Sequence, residues 1–255
     1  MLDSELTTYK LASNDSGNNK SADRRTGLEK VAAAVLIAAN LRPGDRVIDL
    51  GCGAGLVSIP LAERGARVLA IDGNEVLVSR LSRTARERPL PGLEVLLRPI
   101  DSLSLPAASA DLIVSTYALH RLRDADKQRV VAAAFQWLKP GGTFMVADMM
   151  FGRGATRHDR VIIRTKVRVL AKRGVGGWWR IAKNGWRYLV RVREHPMSIS
   201  AWTAMLASAG FTGITASSIV NEAGLVSGRR PVPRLADPDP AGIAARTAVQ
   251  RPPRF

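Results

Sequence analysis

The sequence predicts an α/β protein with a doubly wound, mostly parallel sheet. Short apolar runs alternate with helical stretches from residue 28 onward, a glycine-rich turn follows the first run, and acidic residues lie at the ends of the first three runs. A chain of 255 residues, 46% of them hydrophobic, can bury the core of one such domain and still carry an insertion.

The elements follow one another in a regular order. Helices are predicted over residues 28–39, 56–64, 74–87 and 124–138, and strands over residues 46–50, 67–71, 93–98, 110–116 and 143–148. The alternation stops after Asp148. A helix over residues 200–209, ended by Gly210, and two late strands near 211–220 and 224–229 are predicted to complete the fold.

Composition divides the chain into a folded domain and less regular parts. Residues 1–22 are polar and expected to be mobile, residues 23–230 form the domain, and the Pro-rich residues 231–255 are expected to be a loose tail. An insert within the domain, residues 152–196, holds 13 Lys/Arg against 2 Asp/Glu and explains most of the formal charge of +16. With one cysteine and no secretory signal or long apolar run, a cytoplasmic protein without disulfides is expected.

A glycine-rich turn, Gly51-Cys52-Gly53-Ala54-Gly55, follows the first strand. Glycines there let the backbone approach a ligand at the start of the next helix. Dinucleotide-binding proteins use a similar turn, but the spacing here lacks their GxGxxG offset. The Asp49 carboxylate just before the turn would repel a pyrophosphate, whereas it suits the ammonium and sulfonium charges of S-adenosylmethionine. The turn therefore favours the sulfonium cofactor.

Two further acids follow the next two strands. Asp72 can accept both ribose hydroxyls, and Asp101 can accept from the adenine amino group while Ile100 covers the ring. Alone, Asp72 would more readily be a strand-end turn residue and Asp101 could equally be a helix N-cap, but the carboxyl ends of parallel strands share one edge, where open α/β sheets bind ligands. The predicted cofactor residues are Asp49, Gly51, Cys52, Gly53, Asp72, Gly73, Ile100, Asp101 and Ser115.

Residues 47–55, Val-Ile-Asp-Leu-Gly-Cys-Gly-Ala-Gly, resemble motif I of the class I S-adenosylmethionine-dependent methyltransferases. Residues 68–74 resemble the ribose-binding motif of that family, and residues 138–143 its post-motif before strand five. Residues 111–120 resemble the strand-four motif of the subgroup that includes the ubiquinone- and menaquinone-pathway C-methyltransferases. The resemblance implies a seven-stranded Rossmann-like sheet with an antiparallel last strand, and S-adenosylmethionine as cofactor. The insert departs from the minimal pattern, so acceptor identity is expected to be decided there.

Tyr117 and His120 follow strand four and are the candidate catalytic residues. Methyl transfer is an in-line displacement, and it needs a base only when the acceptor loses a proton. His120 could be that base or a wall of the cofactor site, and Tyr117 is expected to be a wall. Methylation of base amino groups, cysteine-dependent cytosine methylation and metal-dependent O-methylation are disfavoured, because no Asn/Asp-Pro-Pro-Tyr/Phe segment, free nucleophilic cysteine or metal-ligand cluster is present. We expect no metal.

The basic insert admits three interpretations. Arginine or lysine recurs every four residues beside bulky apolar residues, and three of the chain's five tryptophans lie in the insert; the basic positions are Arg160, Arg164, Arg168 and Lys172. Such helices suit an anionic membrane surface, a lid over the pocket, or RNA phosphates, and the apolar faces favour the first two over RNA.

The favoured function is methyl transfer to carbon or oxygen of a hydrophobic small-molecule or lipid-like acceptor, by a protein that can contact membranes peripherally. An RNA methyltransferase that docks through the insert and a non-catalytic cofactor-binding regulatory protein are the alternatives.

Overall fold

The computed structural model describes residues 26–151, 195–220 and 222–233. Its helices are α1 (Gly27–Ala38), α2 (Ser58–Glu63), α3 (Glu75–Glu87), α4 (Asp124–Trp137) and α5 (Ile199–Ser208). Its strands are β1 (Arg46–Leu50), β2 (Arg67–Asp72), β3 (Leu93–Leu97), β4 (Ala110–Thr116), β5 (Leu138–Met149), β6 (Thr212–Val220) and β7 (Ala223–Arg229). Two short 3-10 helices, Ile100–Ser102 and Leu119–Arg121, follow β3 and β4.

The strands form one sheet in the order β3-β2-β1-β4-β5-β7-β6. β1 to β5 pair in parallel, and β7 is antiparallel to both of its neighbours, β5 and β6. The strand order reverses between β1 and β4, and ligands of open α/β sheets bind at such a point. The predicted doubly wound sheet is confirmed, and so is the antiparallel last strand that the family resemblance implied.

The middle positions of the central strands are apolar on both faces because both faces are covered. Successive side chains of a strand point to opposite faces, so Val47 and Leu112 belong to one apolar cluster, and their neighbours Ile48 and Ile113 belong to the other. The sheet therefore separates two layers of core, and its strand ends are left to carry polar groups.

Helix caps fix two segments that border the sheet edge. The Thr26 hydroxyl and the Glu29 carboxylate form a capping box at the start of α1. The Asn74 side chain accepts from the backbone N–H groups of Val76 and Leu77 at the start of α3. A cap of this kind stabilises a helix by about 1 kcal/mol. The Asn74 cap also holds the turn after β2 against α3.

β5 begins five residues earlier than the sequence indicates. Leu138 pairs with Ala110, and after a register shift Thr143 pairs with Leu112. The intervening residues bulge, with Gly141 in a left-handed conformation at φ 83°. An ion pair from Lys139 to Asp111 at 2.7 Å holds this bulge to β4.

Several predictions concern residues outside the described part of the chain. These are the N-terminal segment 1–22, residues 152–194 of the basic insert, and the tail beyond residue 233. The membrane, lid and RNA interpretations of the insert, with Arg160, Arg164, Arg168 and Lys172, therefore stay predictions, as do the domain boundaries. Among the helices that the structure describes, none combines the length and apolar character needed to cross a bilayer.

Candidate active site

A cavity of about 1010 Å³ opens at the carboxyl ends of the strands on both sides of the switch point. It lies over the ends of β1, β2 and β4 and beside the 3-10 helix that follows β3. Nine of the eleven predicted site residues line it, namely Asp49, Gly51, Cys52, Gly53, Asp72, Gly73, Ile100, Asp101 and Tyr117. Ser115 and His120 lie outside its lining.

The glycine-rich loop after β1 forms the floor of the cavity. Gly51, Gly53 and Gly55 have φ angles of 77°, 56° and 88°, a region that side-chain-bearing residues rarely adopt. A Cβ atom at Gly51 would lie 2.2 Å from the Cβ atom of Ala118. The loop therefore packs directly against the segment that follows β4, and a glycine is required at its first position.

Asp49 carries a buried carboxylate with one unsatisfied oxygen. The Ser58 hydroxyl donates to Oδ2 at 2.5 Å, while Oδ1 has no hydrogen-bond partner although it is buried. Burial raises the pKa of Asp49 to about 6; the Ser58 hydrogen bond opposes this rise and the nearby Asp72 charge adds to it. An unsatisfied carboxylate oxygen beside a cavity suits a positively charged donor, so these residues fit the ammonium group of the cofactor.

Asp72 braces the loop from the end of β2. Its Oδ2 accepts from the backbone N–H of Gly53 at 2.8 Å, and its Oδ1 accepts from that of Asn74, also at 2.8 Å. Each carboxylate oxygen has a second lone pair, so the same side chain can still accept from two hydroxyl groups. The geometry is compatible with a ribose at this position.

Asp101 and Ile100 belong to the 3-10 helix after β3, and both line the cavity. Asp101 is exposed at the rim, whereas Ile100 is half-buried. Cys52 is buried within the loop, and burial together with the Asp49 and Asp72 charges raises the pKa of its thiol. The thiol therefore stays protonated at neutral pH and is a poor nucleophile.

Ser115 lies outside the cavity lining, and its role in cofactor binding stays a prediction. Its hydroxyl is buried and donates to the backbone carbonyl of Leu50 at 2.8 Å, which ties the end of β4 to the end of β1. The neighbouring Thr116 does line the cavity, and its buried Oγ1 has no hydrogen-bond partner. Sequence reasoning missed Thr116, although the alternation of side chains along a strand could have indicated it.

Tyr117 lines the cavity at the end of β4. Its φ of 51° is left-handed, a conformation that strains a bulky residue by roughly 1–3 kcal/mol. Burial raises the pKa of its phenol to about 12, and the nearby charges of Glu222 and Asp148 add to the rise. Tyr117 is therefore a protonated hydrogen-bond donor at neutral pH. Its ring meets the His120 ring edge-on, with 6.4 Å between the ring centroids.

His120 forms a buried pair with Asp148. Its Nδ1 lies 2.7 Å from Asp148 Oδ1, and its backbone N–H donates to Asp148 Oδ2 at 2.8 Å. A carboxylate only accepts, so Nδ1 carries the proton and a neutral imidazole keeps Nε2 as its basic atom. Sequence reasoning did not single out Asp148, although it too is an acid near the carboxyl end of a strand, β5.

The strand order and the loop at the switch point define a Rossmann-like α/β protein, and comparison with known proteins narrows the class. Residues 47–142 match a protein family described as a methyltransferase domain. An uncharacterised methyltransferase of Geobacillus kaustophilus is 36% identical over 112 residues, which are 43% of this chain and 49% of that protein. Residues 47–142 therefore form a methyltransferase domain, and the strand order around them is that of the class I S-adenosylmethionine-dependent methyltransferase fold.

Two further methyltransferases are similar to this chain over longer stretches. A ubiquinone biosynthesis O-methyltransferase of Methylocella silvestris is 28% identical over 158 residues, which are 62% of this chain and 57% of that protein. The solved structure of an S-adenosylmethionine-dependent methyltransferase from Mesorhizobium loti has a TM-score of 0.56 at 24% identity, over 80% of this chain and 100% of that chain. The chain spans about half the length of the curated relatives that it matches. The narrower resemblance to C-methyltransferases stays a prediction.

Proposed function

We propose that this chain transfers a methyl group from S-adenosylmethionine to carbon or oxygen of a hydrophobic small-molecule or lipid-like acceptor. The observation that supports S-adenosylmethionine as the cofactor is the unsatisfied, buried Oδ1 of Asp49 beside the glycine-rich loop. The acceptor half rests on the apolar rim of the same cavity.

The acids at three neighbouring strand ends would each bind a different part of the cofactor. Asp49 at β1 would bind the ammonium of the methionine part, Asp72 at β2 the ribose, and Asp101 after β3 the adenine, with Ile100 against the ring. Bound S-adenosylmethionine supplies an electrophilic methyl group on a positively charged sulfur. Because β4 is the neighbour of β1 on the other side, Tyr117 and the segment after it would face the acceptor.

The rim of the cavity is unusually apolar for a protein surface. Six large apolar side chains are exposed in the part of the chain that the structure describes, and three of them, Leu28, Leu56 and Val76, line this cavity. Clustered exposed apolar groups indicate a binding surface, whereas scattered ones do not. A volume of about 1010 Å³ is also at the upper end for a pocket that holds one drug-sized ligand. It leaves room for a second, apolar molecule.

The proton that a hydroxyl or carbon acceptor loses would pass to His120 through a bound water, because the His120 side chain lies outside the cavity lining. The acceptor's electron pair forms the new bond to the methyl carbon, the bond from that carbon to sulfur breaks, and its electrons stay on sulfur. Asp148 holds the His120 ring with Nε2 free to accept, and stabilises the imidazolium that results. Tyr117, which stays protonated, would donate to the acceptor or pack against it.

Calorimetric titration with S-adenosylmethionine tests the cofactor half. Wild type should bind, and Asp49→Asn should bind at least tenfold more weakly because a charge-assisted hydrogen bond is lost. Asp111→Asn is the matched control, since this carboxylate is paired with Lys139 away from the cavity. No binding by wild type, or equal affinity in Asp49→Asn, would contradict the assignment.

Transfer of labelled methyl groups to fractionated cell extract tests the acceptor half. Label that partitions into organic solvent supports a hydrophobic acceptor. Label in RNA would replace it with the RNA alternative, and cofactor binding without any transfer would indicate a regulatory protein. His120→Asn should reduce the label in each productive fraction without weakening cofactor binding.

A further inference from the structure

Two arginines line the cavity without an ion pair. Arg80 lies on α3, and Arg121 ends the 3-10 helix after β4. No carboxylate in the described part of the chain pairs with either guanidinium. Arg123 and Arg129, which follow Arg121 closely, both pair with Asp126, at 3.0 and 2.5 Å. An exposed cation that faces a cavity while its neighbours are neutralised is available to an anionic ligand.

The two arginines reach the cavity from different elements, Arg80 from α3 after β2 and Arg121 from the 3-10 helix after β4. Arg80 is one turn beyond Val76 and Leu77 on α3. Both of those residues line the cavity together with the glycine-rich loop. Arg121 directly follows His120, on the side of the switch point that no proposed cofactor residue occupies. Arg80 is therefore placed toward the cofactor, and Arg121 toward the acceptor.

The negative charges near the acceptor end do not neutralise Arg121. Asp148 is buried, and its carboxylate accepts hydrogen bonds from the ring and backbone of His120 and from the backbone of Met149. Those donors compensate its charge locally. Arg121 also has an apolar neighbour, Leu122, in the cavity lining.

We propose that Arg121 is a specificity-determining residue that binds a carboxylate or phosphate group on an otherwise apolar acceptor. This rests on the proposed function, and it narrows the acceptor class to amphiphilic anions. An anionic group there would gain from the guanidinium's paired N–H donors, and from the positive charge of the bound cofactor. The apolar body of the same molecule would lie against the apolar part of the cavity lining, beginning with the neighbouring Leu122.

Binding of simple amphiphiles to the protein loaded with S-adenosylhomocysteine tests this without turnover. The probes are octanoate, octyl phosphate and 1-octanol, which share a chain and differ in the head group. Wild type should bind the two anions at least tenfold more tightly than octanol, as expected for a charge-assisted hydrogen bond. Arg121→Gln should remove that preference, and Arg121→Lys should keep part of it.

Arg123→Gln is the matched control, because it removes the same charge two residues away from a side chain that is already paired with Asp126. It should keep the tenfold preference. Equal binding of octanoate and octanol by wild type, no binding of octanoate, or equal loss in Arg121→Gln and Arg123→Gln would overturn the proposal. Vesicles of phosphatidylglycerol give a further arm: Arg121-dependent vesicle binding identifies a lipid head group as the anion, and solution binding alone identifies a soluble acid.

The loading step separates the two proposals. Failure of wild type to bind S-adenosylhomocysteine overturns the proposed function, and this inference with it. Normal loading without a preference for anionic probes overturns the role of Arg121 alone.

Discussion

Lowering the pH through the pKa of Asp49 should weaken cofactor binding. The free protein holds this carboxyl at a pKa of about 6, mainly because it is buried. An ammonium group bound at Oδ1 would favour the carboxylate and would lower the pKa in the complex. The bound state therefore carries fewer protons than the free state at acidic pH, and affinity for S-adenosylmethionine should fall as the pH drops below 6.

The size of the effect follows from the titration. At pH 5, one unit below the free pKa, about one molecule in eleven has an ionised Asp49, whereas nearly all do at pH 7.5. Affinity at pH 5 should therefore be about tenfold weaker than at pH 7.5, or about 1.4 kcal/mol. Asp49→Asn cannot titrate, so its affinity should be weak at pH 7.5 and almost constant over this range.

Isothermal titration calorimetry at constant ionic strength measures both curves. Asp101→Asn serves as the comparison, because its carboxyl lines the cavity but is exposed, and the tenfold pH effect should persist there. A pH-independent affinity in wild type would refute the reasoning. So would a tenfold decline that survives in Asp49→Asn.

The raised pKa of Asp49 should make the folded protein less stable as the pH rises, whereas a paired surface acid makes it more stable. The folded pKa of Asp49 lies above the ordinary value of 3.8, so between about pH 4 and 6 the folded protein binds more protons than the unfolded chain. The free energy of unfolding should therefore fall with rising pH, by about 3 kcal/mol from this group alone. Urea unfolding at pH 4.5 and pH 7 should show about 2 kcal/mol of that fall in wild type, because the rest lies below pH 4.5, and a smaller fall in Asp49→Asn.

Four substitutions test other parts of the structure. Gly51→Ala should lower the free energy of unfolding by more than about 2 kcal/mol, because the new Cβ would meet Ala118 at 2.2 Å in a left-handed backbone, and urea unfolding measures this. His120→Asn should lower kcat by roughly 10²–10⁴-fold, and Asp148→Asn should also lower it because the imidazole tautomer changes, while calorimetry shows unchanged cofactor affinity. Lys127→Met should destabilise the fold by about 1–3 kcal/mol, since this fully buried ammonium donates to the backbone carbonyl of His195.

A specific result would contradict each of these predictions. Wild-type stability in Gly51→Ala would mean that the loop is free to move away from the segment after β4. Full methyl transfer by His120→Asn would leave that residue as a wall of the site. Asp124→Asn is the control for Lys127→Met, because Asp124 is half-exposed and its loss should cost less. Equal destabilisation by both would assign the effect to the ion pair and not to the His195 contact.

The fold could be predicted in detail because each strand carries its own evidence. β1 and β4 each contain a run of consecutive buried apolar residues, Val47–Ile48 and Leu112–Val114, and burial on both faces produces that pattern. The early start of β5 could not be predicted, because its first pairing, from Leu138 to Ala110, depends on a bulge that a Lys139–Asp111 ion pair holds in place. Such a contact joins residues 28 positions apart, and local patterns do not contain it.

That Asp49, Asp72 and Asp101 line one cavity could also be predicted, since they lie at strand ends that share one edge. Ser115 shows the limit of that argument. A position at the end of a strand does not decide whether a side chain points into the cavity or, like this hydroxyl, back toward Leu50. Asp148 and Arg121 were missed because only the folded structure shows what each side chain contacts. Asp148 pairs with His120, whereas Arg121 lines the cavity without an ion pair among the described residues.

The left-handed backbone at Tyr117 has a consequence for any attempt to make this protein more robust. Glycine or asparagine would adopt that φ with less strain, so Tyr117→Gly or Tyr117→Asn would be favoured by a selection for thermal tolerance alone. Either change would remove the phenol from the cavity wall and the ring that meets His120. A tyrosine in this conformation is therefore a position at which heat resistance and chemistry demand different residues.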